Sequence, residues 1–99
     1  HATQGPTLSD CPSAFYSVPL TEQAKQCQLF EDDFPASMIY HDKRAPESLI
    51  AYYQATQPEF EIHSAFNERT LLIDESQNLR VVISPDGQGS QIDILVLTQ

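Results

Sequence analysis

The stretch EFEIHSAFNERTLLIDESQNLRVVISPDGQGSQIDILVL, Glu59 to Leu97, decides the fold class of this 99-residue chain. It divides into four short runs of strand-forming residues separated by three turn signals. In the first run Phe60 and Ile62, extended by Ser64 and Phe66, alternate with Glu59, Glu61 and His63. Asn67-Glu68 turns the chain, and the run from Arg69 to Asp74 carries Leu71, Leu72 and Ile73. Ser76-Gln77-Asn78 turns it again, and Leu79, Val81 and Ile83 then alternate with Arg80, Val82 and Ser84. In the last run Ile92, Ile94 and Val96 alternate with Asp93, Leu95 and Leu97. A period of two is the mark of a strand with one face turned inward. Pro85-Asp86-Gly87-Gln88-Gly89 is the strongest turn signal, because Gly87 and Gly89 can both take positive φ. Four locally paired runs of this kind predict an antiparallel β-meander.

Working upstream, Pro46 suits the first position of a helix and Glu47 follows it, where the helix dipole favours an acid. Leu49, Ile50, Tyr52 and Tyr53 form an apolar stripe at i, i+1, i+3 and i+4, which predicts an amphipathic helix from Pro46 to about Ala55. Ser37-Met38-Ile39-Tyr40-His41 adds a strand before it. The predicted fold class is α+β: an antiparallel β-meander sheet of about five strands with this helix packed on one face. Thr21 is a good N-cap, and Ala24, Cys27 and Leu29 or Phe30 fall near one face of a short N-terminal helix from Thr21 to about Phe30. Glu31-Asp32-Asp33 and Pro35 end it. Residues 1–20 read as an extended arm anchored by Phe15, Tyr16 and Val18, and residues 21–99 as the α+β core, together one domain.

Five basic residues, Lys25, Lys43, Arg44, Arg69 and Arg80, stand against fourteen acids, for a net charge of -9. A phosphate backbone is bound through several clustered cations, so nucleic acid is not an expected partner. Anionic lipid is disfavoured by the same field. The charge suits solubility and, more sharply, attraction to a basic protein partner. No apolar run reaches the roughly 18 residues of a membrane span, so no span is expected. The chain begins at His1, as it would after removal of a signal peptide, after trimming, or with a tag remnant. Cys11 and Cys27 are the whole cysteine set, and an even pair in a small chain predicts a disulfide formed in an oxidising compartment. Such a crosslink contributes about 3 kcal/mol through the unfolded chain.

No motif in the chain carries a reaction. GxSxG and SxxK frames are absent, as are a phosphate-binding glycine loop and a nucleotide fingerprint. Of the histidines, His41 and His63 lie on strands away from zinc-ligand spacing, and His1 is a copper ligand only if it is a true mature terminus. Glu31-Asp32-Asp33 lacks the alternation and glycine of a calcium loop. The expectation is therefore no catalytic residue, no metal site and no cofactor.

The stretch from Phe34 to Leu97 resembles small uncharacterised bacterial cell-envelope domains, often found in lipoproteins. The pattern is a strand, Ser37 to Tyr40; a short helix ending in an aromatic pair, Pro46 to Tyr53; and a meander closing with Arg80-Val81-Val82-Ile83-Ser84 and Gln91 to Val96. The resemblance implies a periplasmic, cell-envelope or secreted location. It implies no activity and transfers no functional residue.

Val82, Leu95 and Leu97 fall on the outward side of the last two strands. Either the arm and first helix cover them, or they meet a partner, a second copy included. With the arm aromatics Phe15 and Tyr16 they are the candidate contact residues. The function expected is that of a non-enzymatic envelope protein that binds a protein or assists an assembly. The alternatives are an inhibitor of a secreted basic enzyme, or a small hydrolase or ligand-binding protein with a site built from scattered residues. The core is expected to consume most apolar residues, leaving no cavity of about 300 Å³ or more.

Overall fold

Alternation along the meander becomes a sheet whose two faces differ sharply. The computed structural model describes residues 7–8, 11–64, 68–76 and 78–98. His1, Phe66, Asn67 and Gln77 lie outside the described residues. Among those described, the strands are β1 (Thr7–Leu8), β2 (Ala14–Phe15), β3 (Val18–Pro19), β4 (Lys25–Phe30), β5 (Ala36–Asp42), β6 (Glu61–Ser64), β7 (Thr70–Ile73), β8 (Leu79–Asp86) and β9 (Gly89–Val96). One helix, α1 (Pro46–Thr56), lies between β5 and β6. The sheet has seven described strands in the order β1-β4-β5-β9-β8-β7-β6, and β2 and β3 form a separate hairpin. Every described pairing is antiparallel. The molecule is mostly β with one helix, an α+β antiparallel architecture.

The topology follows from α1. The β4–β5 hairpin places β5 in the interior of the sheet, and α1 carries the chain from there to the far edge. The meander β6-β7-β8-β9 then returns until β9 pairs with β5, setting Met38 opposite Ile94 and Tyr40 opposite Ile92. Met38, Tyr40, Leu72, Val81, Ile83, Ile92 and Ile94 are fully buried on one side, with Leu49 and Tyr53 of α1 against them. Ile50 and Tyr52 flank that contact half-buried, so the predicted stripe is the helix's packing surface.

The β8–β9 hairpin has the two-residue loop Gly87-Gln88, since Asp86 pairs with Gly89. Gly87 takes φ +61° at the first loop position, where a two-residue hairpin favours glycine. Gly89 is required for a different reason than its φ: a Cβ there would lie 2.5 Å from the carbonyl oxygen of Asp42.

Three expectations are corrected. The N-terminal helix is absent: Lys25–Phe30 is β4, paired with β5, with Leu29 opposite Met38. Cys27, two residues before Leu29, faces inward and is fully buried, and a bulge at Gln26, φ 54°, shifts the register so that Lys25 pairs with His41. The sheet has seven described strands rather than about five, because β4 and β1 extend it beyond β5. The arm is not a loose extension over the outward face. Its β2–β3 hairpin turns at Tyr16-Ser17, both at positive φ, and buries Phe15, Val18 and Leu20 in the same core as α1. Cys11 and Cys27 form the predicted disulfide, with Cα atoms 5.6 Å apart.

Candidate functional site

Two regions concentrate polar chemistry, and they differ in whether their groups are satisfied. The first lies where the β2–β3 hairpin, β5 and α1 meet. The Tyr53 hydroxyl donates to the Pro19 carbonyl at 2.7 Å, which leaves the 2.6 Å contact between Tyr40 and Tyr53 to be donated by Tyr40. Burial raises the Tyr40 phenol to about 12, and burial likewise pushes Tyr53 up. Tyr52 donates to the Leu20 carbonyl at 2.9 Å. Beside them Asp42, its side chain fully buried, accepts from Thr21 Oγ1 at 2.5 Å and from Arg44 through N, Nε and Nη2 at 2.9, 3.1 and 2.9 Å. Burial opposes ionisation of Asp42, but the hydrogen bonds from Arg44 and Thr21 outweigh it and hold the carboxyl at about 2. Donors and acceptors are matched throughout this cluster. It fastens the hairpin to sheet and helix, and none of its buried side-chain polar atoms lacks a hydrogen-bond partner.

The second region is the opposite face of the sheet. Register places Ser37, Ile39 and His41 of β5 beside Leu95, Asp93 and Gln91 of β9. Beyond them come Arg80, Val82 and Ser84 of β8, then Ile73 and Leu71 of β7. Ile39, Leu71, Val82 and Leu95 are half-buried by one another, and no described helix or second sheet packs on them. Two depressions open on this face. One, about 330 Å³, is lined by Ile39, Leu71, Arg80, Val82, Asp93 and Leu95 among others. The other, about 440 Å³, is lined by Arg69, Val82, Ser84, Pro85, Gln91 and Asp93. Both exceed about 300 Å³, which corrects the expectation that no cavity of that size would remain.

The candidate contact residues are therefore scattered. Val82 and Leu95 share the open face, and Leu97 continues it half-buried past β9, its amide donating to the Asn78 carbonyl at 3.0 Å. Phe15 is 3% exposed and belongs to the core. Tyr16 is half-buried between Phe15 and Phe34, with ring centroids at 4.8 and 5.7 Å. Arg80, Asp93, Ile39 and Leu71 were not singled out from sequence. Alternation alone puts Arg80 and Asp93 beside Val82 and Leu95, but Ile39 joins them only through the β5–β9 pairing, which links strands far apart in the chain.

His41 Nδ1 lies 3.0 Å from Asp86 Oδ2, and His63 Nε2 lies 3.5 Å from Glu61 Oε1. Among the described residues no group of three potential metal ligands converges, and no helix is long and apolar enough to cross a membrane. The disulfide is compatible with an oxidising, extracytoplasmic compartment. No protein-family model matches the chain, and searches among curated proteins and solved structures find no match.

Proposed function

We propose that this chain is a non-enzymatic protein-binding or assembly-accessory module of the bacterial envelope, and that it presents the open face of its sheet to a protein partner. The observation that carries the reading is the side-by-side group Ile39, Leu71, Val82 and Leu95 on a face without a covering layer among the described residues. A one-sided antiparallel sheet normally turns polar residues to water. A contiguous apolar patch there marks a contact surface. The Cys11–Cys27 bond and the likeness of the segment from Phe34 to Leu97 to small envelope domains support a periplasmic, envelope or secreted setting. The charge of -9 supports a partner that is basic over its whole surface, drawn in by long-range attraction.

The test is retention of a partner from envelope extract by the immobilised protein, run beside a Val82→Glu variant. A protein held by the parent and lost with Val82→Glu is the expected result. Substrate turnover in a broad hydrolase screen that disappears on changing His41 or His63 would overturn the reading.

A further inference from the structure

The open face has an electrostatic character of its own within an acidic chain. From it we infer that the bound segment is an apolar stretch of protein carrying an Asp or Glu side chain, whose carboxylate is taken up by Arg80. This rests on the protein-binding reading above and specifies what the face selects.

By register and by the lining of the two depressions, the face carries Lys25, Arg69 and Arg80 against Glu61, Asp86 and Asp93. Among the described residues these charges balance, on a chain of -9. Its acids have neighbours. Asp86 is held by His41, Glu61 faces His63, and Asp93 accepts from Gln91 Nε2 at 3.0 Å. Its arginines have none: among the described residues neither Arg69 nor Arg80 takes part in an ion pair. Arg80 Nε is buried under its neighbours with no hydrogen-bond partner. A buried donor left unpaired is unfavourable until an acceptor arrives, and a guanidinium is matched best by a carboxylate held through two parallel hydrogen bonds. The unmet demand on this face is for negative charge.

Shape selects the class of occupant. The two depressions share Val82 and Asp93 and so adjoin across β8 and β9. One is apolar around Ile39, Leu71 and Leu95, and the other is polar around Arg69, Ser84 and Gln91. A peptide segment with mixed side chains fills both. An acyl chain leaves the polar one unpaired. Steering and contact are separate here: a partner basic overall still docks through one acidic side chain.

Selection of a displayed random peptide library on the parent protein tests this. Internal peptides without a free C-terminus exclude capture of a terminal carboxylate. Enriched peptides are expected to combine apolar residues with Asp or Glu. Arg80→Gln should weaken an enriched peptide about tenfold or more, yet leave binding of the same peptide with its acid changed to Gln or Asn unaltered. That second arm also reports that Arg80→Gln is folded. Enriched peptides that lose binding to Val82→Glu but show no acid preference overturn the inference and leave the face as the binding site. Peptides that bind Val82→Glu as well as the parent, or no enrichment at all, overturn the binding reading itself. A dimer by light scattering that Val82→Glu converts to monomer identifies a second copy as the occupant and overturns the inference.

Discussion

Asp42 is the residue whose ionisation the fold depends on most directly. Its folded carboxyl sits at about 2 against 3.8 for the ordinary group, so its contribution is complete above about pH 4 and disappears as pH falls through about 2. The difference corresponds to about 2 kcal/mol. Asp42→Asn is expected to lower stability at neutral pH by about that amount. In urea unfolding across a pH series, the gap between parent and variant should close as pH falls from about 4 to about 2. A gap that stays constant over that range would show that Asp42 is not the group responsible. The sequence hinted at none of this. In the sequence Asp42-Lys43-Arg44 reads as a polar connection between strand and helix, and only the hydrogen bonds from Thr21 and Arg44 account for Asp42 in the interior.

At the scale of elements, α1 and the disulfide do separable work. Leu49 is fully buried against the sheet, and Leu49→Ala should cost about 2–5 kcal/mol in denaturant unfolding. Val82→Ala, on the open face, should cost far less, since surface changes usually stay within about 0.5 kcal/mol. Equal losses at the two positions would mean that the open face is covered. Replacing Cys11 and Cys27 together with Ser should cost about 3 kcal/mol. Alkylation of the native protein without reductant should leave its mass unchanged, and two modified thiols would refute the crosslink. The meander and α1 were legible because their signals are local: alternation, turn residues, and a proline at the helix start. β4 was not. Ala24 and Cys27, three apart in sequence, both meet the core because the Gln26 bulge adds a residue between them, while Cys27 and Leu29 keep the two-residue period of a strand. A short helix gains little by itself, and pairing with β5 prevails. The β2–β3 hairpin was hidden because its turn places Tyr16 and Ser17, not Asn-Gly, at positive φ.

For the whole molecule, the decisive asymmetry lies between the faces of one sheet. One face holds α1, the β2–β3 hairpin and a closed polar network; the other holds apolar side chains and unpaired arginines under no described layer. Strand alternation assigned Val82 and Leu95 to that second face from sequence. Its full extent required the strand order, because Ile39 and Leu95 become neighbours only when the chain has crossed by α1 and returned. Attraction between the acidic chain and a basic partner should weaken as salt rises, most visibly in the association rate. The most direct measurement is amide chemical-shift mapping of the protein as an enriched peptide is added. Shifts concentrated at Ile39, Leu71, Arg80, Val82 and Leu95 are the predicted result; shifts centred on α1 or on Tyr16 and Phe34 would contradict the assignment of the open face as the binding surface.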